Sequence, residues 1–178
     1  MARTPALDCP DGIADEHLRE PKGLRRALNP ITLTVLGAVL ATAPLGLVGG
    51  LPTAEQTTHA QAVDLAVHMP RVLRNGEFFE TRVRITPKRP IADLQLGVAP
   101  SLWRKLTQNS MIPAASDEKF EDGLFLFSYG KAQPGEPVEV KMDFQINPDL
   151  FGGVSGEVVV RDGKQRLAVL PLAIKVRP

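Results

Sequence analysis

Cysteine is almost absent from this chain: Cys9 is the only one in 178 residues. One thiol excludes an internal disulfide framework, and with it every zinc or iron–sulfur site that draws on several cysteines. Aromatic residues make up 5% of the sequence, too few and too scattered for a base-stacking platform. Neither sign of charge prevails. With 21 basic and 20 acidic residues the formal net charge is +1, which removes any whole-chain electrostatic argument for nucleic acid. Histidine is also scarce, limited to His17, His59 and His68. Against these shortages stand 43% hydrophobic and 23% charged residues, the balance of a mostly ordered chain. The length suits one domain with an appendage.

Charge is missing altogether from one place. No residue between Arg26 and Glu55 is charged, and the heart of this run is "ITLTVLGAVLATAPLGLVGGL", residues 31–51. At about 1.5 Å per helical residue it matches the roughly 30 Å hydrocarbon core of a bilayer. Asn29 as cap and Pro30 as first helical residue predict a helix over 29–51. Lys22, Arg25 and Arg26 precede the run and only Glu55 closely follows it. That bias predicts a cytoplasmic N-terminus and an outward C-terminal part. The chain then divides into a short cytoplasmic tail (1–28), a transmembrane signal anchor (29–51), a polar tether (52–62) and an extracytoplasmic domain (63–178). The expected location is the cell (inner) membrane, single-pass, with the lipid bilayer as first partner.

A cleaved signal peptide is the rival reading. The small-residue boxes Ala41-Thr42-Ala43 and Ala60-Gln61-Ala62 are the available cleavage sites. Pro44 blocks the first, the second lies far beyond the apolar run, and the segment before the run is far longer than a signal peptide's. Gly37 with Ala41 and Gly46 with Gly50 are small-x-x-x-small pairs, which let two helices approach closely in lipid. They also fit the ordinary abundance of small residues in membrane spans. Pro44, Gly46, Gly49 and Gly50 weaken the outer half of the helix.

Beyond the tether, period-two alternation takes over. Val63, Leu65, Val67 and Met69 share one face of a strand; Phe79, Thr81, Val83 and Ile85 share another. Leu94, Leu96 and Val98 repeat the pattern, and the cleanest case sets Val138, Val140, Met142, Phe144 and Ile146 against Glu139, Lys141, Asp143 and Gln145. "GEVVVRDGKQRLAVLPLAIKV" reads as a hairpin turning at Asp162-Gly163 in type I′ geometry, with Pro171 marking an edge or a bulge. Seven or eight strands are expected, each with one buried and one wet face. Two sheets must therefore pack together. The fold class is all-β, an antiparallel immunoglobulin-like β-sandwich on a single N-terminal transmembrane helix.

"NGEFFETRVRITPKRPIADLQLGVAP" (75–100), followed by "YGKAQPGEPVEVKMDFQINP" (129–148), resembles bacterial Ig-like modules of the CARDB type. In those a Pro-Gly-Glu turn, here Pro134-Gly135-Glu136, leads into a long alternating strand. The resemblance covers roughly residues 63–178. It implies an adhesion or interaction scaffold and brings no catalytic residues.

Between two of these strands lies "SLWRKLTQNSMIPAASDEKFEDG", residues 101–123, which holds the chain's only tryptophan and reads as an irregular excursion. Trp and Arg dominate binding hot spots, so Trp103, Arg104, Lys105, Met111 and Ile112 are candidates for a partner-binding surface. The other reading is a plug, in which Trp103, Met111, Ile112 and Phe120 close the open end of the sandwich. Asp117, Glu118, Glu121 and Asp122 read as loop acids without the spacing of a calcium loop and without a cleft to make them a glycosidase pair. His68 and Met69 fall on opposite strand faces, so they do not converge on a metal. Ser155 lacks the spacing of a nucleophile elbow. No catalytic residue, metal or cofactor is expected. The functional expectation is a non-catalytic envelope protein whose outward domain docks to a membrane or envelope partner; a ligand-sensing or solute-binding module is the alternative. A reporter active only outside the cytoplasm, fused after Pro178, is expected to be active; activity confined to a cytoplasmic reporter overturns the topology.

Overall fold

The structure is a computed structural model that describes residues 23–45, 47 and 55–177. The chain divides into two compact units, ending and starting at Leu45 and Gly46. In the first, helix α1 spans Leu24–Ala41, with Gly23 in the cap position and Pro30 inside the helix. Asn29 is therefore not the cap and Pro30 not the first helical residue. The reason lies upstream: "LRRAL", 24–28, consists of strong helix formers, so the helix is already running when it meets the proline. Pro30 has no N–H to give, and its own carbonyl also accepts from Thr34 Oγ1 at 2.8 Å. Past Ala41 the bonding loosens, from Thr42 N to Val39 O at 3.1 Å to Leu45 N to Ala41 O at 3.4 Å, with Pro44 in the turn. No described helix is long and apolar enough to cross a membrane. Of the rest of the apolar run, Gly46 and residues 48–51 lie outside the described residues, as do Cys9, His17 and Lys22.

The second unit is a two-layer β-sandwich. Its strands are β1 Gln56–His59, β2 Val63–His68, β3 Val72–Arg74, β4 Phe78–Pro87, β5 Ile91–Val98, β6 Leu106–Ile112, β7 Asp117–Glu121, β8 Leu124–Ala132, β9 Val138–Ile146, β10 Val154–Asp162 and β11 Gln165–Arg177, with a one-turn helix α2 at Pro100–Trp103. One sheet has the order β1-β2-β4-β9-β6 and the other β3-β11-β10-β5-β8-β7. Every pairing is antiparallel except β3 with β11, where Val72 lies beside Lys175. Strand β1 begins inside the stretch expected to be a tether.

Alternation places the core as the sequence indicates. Val63, Leu65, Val67, Val83, Ile85, Leu94, Leu96, Val140 and Ile146 are completely buried, and Phe144 is 2% exposed. Phe79 lies opposite Phe144 in the β4–β9 register, and their rings stack at 5.4 Å. Pro171 sits where β11 is an edge, because β3 covers only Lys175–Arg177.

Two turns differ from expectation. Asp162 pairs with Gln165, so the β10–β11 loop is Gly163-Lys164. Gly163 has φ 54 and stands first of the two, the position glycine takes in type II′ turns. The turn with both central residues left-handed is Asp122 (φ 54) and Gly123 (φ 75), joining β7 to β8.

The excursion is the larger difference. Residues 106–112 form an edge strand of the first sheet against β9, and 117–121 form an edge strand of the second against β8. The segment thus widens both sheets. Its periodicity escapes notice because an edge strand buries few side chains: "LTQNSMI" leaves four of its seven residues exposed and "DEKFE" four of five. β6 also carries a register shift between Gln108 and Ser110, which breaks the alternation.

Phe144→Ala is expected to cost roughly 3–5 kcal/mol of stability, seen as a lower denaturation midpoint. A cost near zero contradicts the inward parity of β9.

Candidate functional site

The site is best built from Trp103. Ala99 N donates to Glu157 O at 2.9 Å and Leu102 N to Ala99 O at 3.0 Å, which starts α2 against β10. Leu102 is 2% exposed. Next to it the indole of Trp103 enters the end of the sandwich, with ring centroids 5.3 Å from Phe127, 5.4 Å from Phe144 and 5.9 Å from Phe125. Trp103 therefore belongs to the core and closes it.

The chain then reverses through Lys105, whose φ is 61. Lys105 Nζ lies 3.0 Å from the Asp149 carbonyl and 3.1 Å from its carboxylate, while Asn147 N donates to Lys105 O at 3.0 Å. Arg104 is exposed beside it. Met111 and Ile112 lie at the far end of β6, roughly 20 Å away at strand rise. Met111 packs on the core, and the Tyr129 hydroxyl reaches its Sδ at 3.4 Å. Ile112 is 61% exposed, so it takes no part in the plug. The five residues singled out together do not form one surface. Phe120, 62% exposed, packs on Phe125 at 5.3 Å, which is itself exposed and stacks on Trp103. On α1, Gly37 and Ala41 are both exposed; Gly46 and Gly50 lie outside the described residues.

What does come together is one end of the sandwich. Asn75 ties it: its N donates to Arg177 O at 2.9 Å, and its Nδ2 to Pro148 O at 2.7 Å and Leu150 O at 3.3 Å. Lys175 N donates to Arg71 O at 2.8 Å. Gly153, with φ 128, passes so close to β11 that a Cβ there would lie 2.0 Å from Ile174 O. Two phenylalanines stand out from this end, Phe78 at 67% and Phe151 at 70% exposure. Around them Arg71, Arg74, Arg104, Lys105, Lys175 and Arg177 are exposed. The acids at this end include Glu55, Glu77, Asp149 and Glu157, the last paired with Arg166. Of these, Glu77 accepts from Arg74 N at 2.7 Å and Asp149 is paired with Lys105. Sequence reasoning missed Phe78 and Phe151. Phe78 had a signal, an aromatic on the otherwise polar parity of "EFFETRVRI".

The acids of 117–122 have structural partners. Lys119 and Glu121 pair at 2.8 Å, which holds the Glu121 carboxyl below its ordinary range. Asp122 accepts from Arg161 Nη1 at 3.0 Å. Arg161 is only 2% exposed, and its Nε donates to Gly163 O at 3.0 Å, so Asp122 neutralises a buried cation. At the other end, Asp64 bonds Lys88 at 2.7 Å and His59 at 2.8 Å; both, Lys88 first, hold its carboxyl below the usual range. His68 is exposed while Met69 is buried. Among the described residues no three His, Cys, Asp or Glu side chains gather to hold a metal. A space between the sheets beside Thr81, Trp103 and Phe144 measures about 10 Å³, room for about one water.

No family model matches this chain, and no curated protein matches it by sequence. Among solved structures it is similar to a CARDB domain from Pyrococcus furiosus, solved with di-metal ions, at 13% identity and TM-score 0.41, covering 68% of this chain and 95% of that one. It is similar to the type I cohesin–dockerin complex from Clostridium thermocellum at 16% identity and TM-score 0.40, covering 70% and 99%. A Niemann-Pick type C2 protein from Japanese carpenter ant shares 8% identity at TM-score 0.41, covering 70% and 100%.

Tyr129 offers a direct test of the wall between β6 and β8. Burial, and secondarily the Glu118 carboxylate, push its hydroxyl up from 10.0 to about 12. The folded state then keeps this proton where the unfolded state loses it, so the associated stability falls as pH rises from about 10 to about 12. As the chain has one tyrosine, tyrosinate absorbance reads this group alone. A midpoint near 12 is expected, and a midpoint near 10 overturns the packing of Tyr129 on Met111.

Proposed function

We propose that the chain is a non-catalytic, membrane-anchored envelope protein that holds a β-sandwich outside the cytoplasm to dock a partner. The observation that carries this reading is the lack of any charged face on α1 from Ile31 onward. Ile31, Leu33, Val35, Leu36, Val39 and Leu40 are each more than half exposed and cover an arc of about 200° of the helix, the rest carrying the uncharged Thr34, Gly37, Ala38 and Ala41. An apolar helix with no polar stripe is stable in a protein interior or in lipid. Residues 31–51 contain no charge, and the run as a whole has the length of a span. The basic residues before it favour a cytoplasmic N-terminus.

The space beside Trp103 between the sheets, about 10 Å³, has no room for a solute, and the hollows of about 390 and 520 Å³ at Arg71 and Lys175 and at Arg89 and Arg166 are open to solvent, which favours docking at the surface. That surface offers exposed aromatics and cations at one end.

Alkaline carbonate extraction tests the anchor. The full chain is expected to stay with the membrane. Leu36→Arg with Val39→Arg, at about 3 kcal/mol each near the centre of a span, is expected to move it to the soluble fraction. A wild-type chain that carbonate releases overturns the anchor.

A further inference from the structure

We infer that the end of the sandwich bearing Phe78 and Phe151 lies on anionic phospholipid headgroups of the membrane that holds the anchor. This rests on residues 31–51 being that anchor, and it adds a second, surface contact made by the β domain itself.

The first argument is chain length. Gln56 lies beside Val67, and Val67 beside Val83. Both pairings are antiparallel, so β1 runs in the same direction as β4. Phe78 lies five residues before Val83 on β4, and Leu51 lies five residues before Gln56. Five residues reach at most about 17 Å, and five residues of strand span about the same. The link from Leu51 to β1 is thus no longer than the stretch of β4 from Val83 to Phe78.

The second argument is chemistry. Arg71, Arg74, Arg104, Lys105, Lys175 and Arg177 are exposed at this end, against Glu55, Glu77, Asp149 and Glu157. Each basic residue near an anionic lipid surface strengthens association by roughly fivefold. Phe78 and Phe151, 67% and 70% exposed, are the side chains that enter a headgroup interface and gain by leaving water. They stand on braced backbone: Phe78 pairs with Gln145 in the β4–β9 ladder, and the loop before Phe151 is fixed by Asn75 through Pro148 and Leu150.

The test uses the full chain with Cys9→Ser, reconstituted in phosphatidylcholine vesicles with or without phosphatidylglycerol. A nitroxide is attached at Phe78→Cys, at Phe151→Cys, or at Val169→Cys as a control on a face of β11. Trp103 is left in place, so the core plug is intact. Labels at 78 and 151 are expected to collide several-fold more with lipid-soluble oxygen, relative to a water-soluble nickel chelate, than the label at 169. The preference is expected to weaken without phosphatidylglycerol, at high salt, and in Lys175→Glu with Arg177→Glu. If the chain resists carbonate but labels at 78 and 151 are as open to nickel as 169, the anchor stands and this inference fails, as it does if the two phenylalanines serve a protein partner that the vesicles lack. If carbonate releases the chain, the anchor reading and this inference fail together.

Discussion

A Cβ at position 156 would come within 2.8 Å of Leu102 Cβ and 2.9 Å of its backbone nitrogen. Helix α2 can lie on β10 only because residue 156 is glycine. From that approach follows the placement of Leu102 and Trp103, and from Trp103 the closure of the sandwich by Phe125, Phe127 and Phe144. The same turn delivers Lys105 in a left-handed conformation, which reverses the chain into β6. The edges of both sheets and the basic end of the domain thus rest on one missing methyl group and one large aromatic. A fully buried tryptophan removes on the order of 150–250 Å² from water; the half-buried Trp103 removes part of that, and at roughly 25 cal/mol per Å² this helps offset the cost of ordering the segment that carries it.

The two strands that follow show how an edge is kept from pairing with other chains. β7 presents Asp117, Lys119 and Glu121 along one face, with Lys119 and Glu121 paired; such charges make an open ladder a poor template. β6 has no charge between Leu106 and Ile112 but is interrupted by the shift at Gln108/Ser110, which has the same effect. The hairpin turn of β7 is fixed by Asp122 on the buried Arg161. Breaking such a pair leaves an uncompensated charge in the sheet, so one acid of an apparently solvated cluster is structural.

Much of the core was legible in the sequence because a two-faced strand writes its burial in every second residue. β2, β4 and β9 are strands of this kind, and their inward residues are those the alternation names; β5 is buried on both faces from Leu94 to Val98, because Leu124 and Leu126 also cover its other face at Gly97. The edges were not legible. β6 and β7 bury too little for any period to appear, although Asp122-Gly123 carried a hairpin signal in plain view. In α1, Asn29-Pro30 has the form of a helix start, yet helix formers before it extend the helix back to Leu24. Arg161 lies within "VVVRD", where nothing distinguishes an arginine that ends a strand from one sealed against an aspartate 39 residues away.

The candidate site is hidden for a different reason. Trp103, Arg104 and Lys105 attract attention as a run, but their roles diverge: the indole closes the core, Lys105 is tied to Asp149, and Arg104 stays in water. Met111 and Ile112 belong to the other end of the strand. The residues that converge with Arg104 and Lys105 come from the β2–β3 bend, the β3–β4 turn, the β9–β10 loop and the last residues of β11. No spacing in the sequence joins them. A lipid surface demands no motif of its partner, only cations and a few apolar side chains facing the same way. Sandwich topology supplies that direction by bringing alternate strand ends to one face.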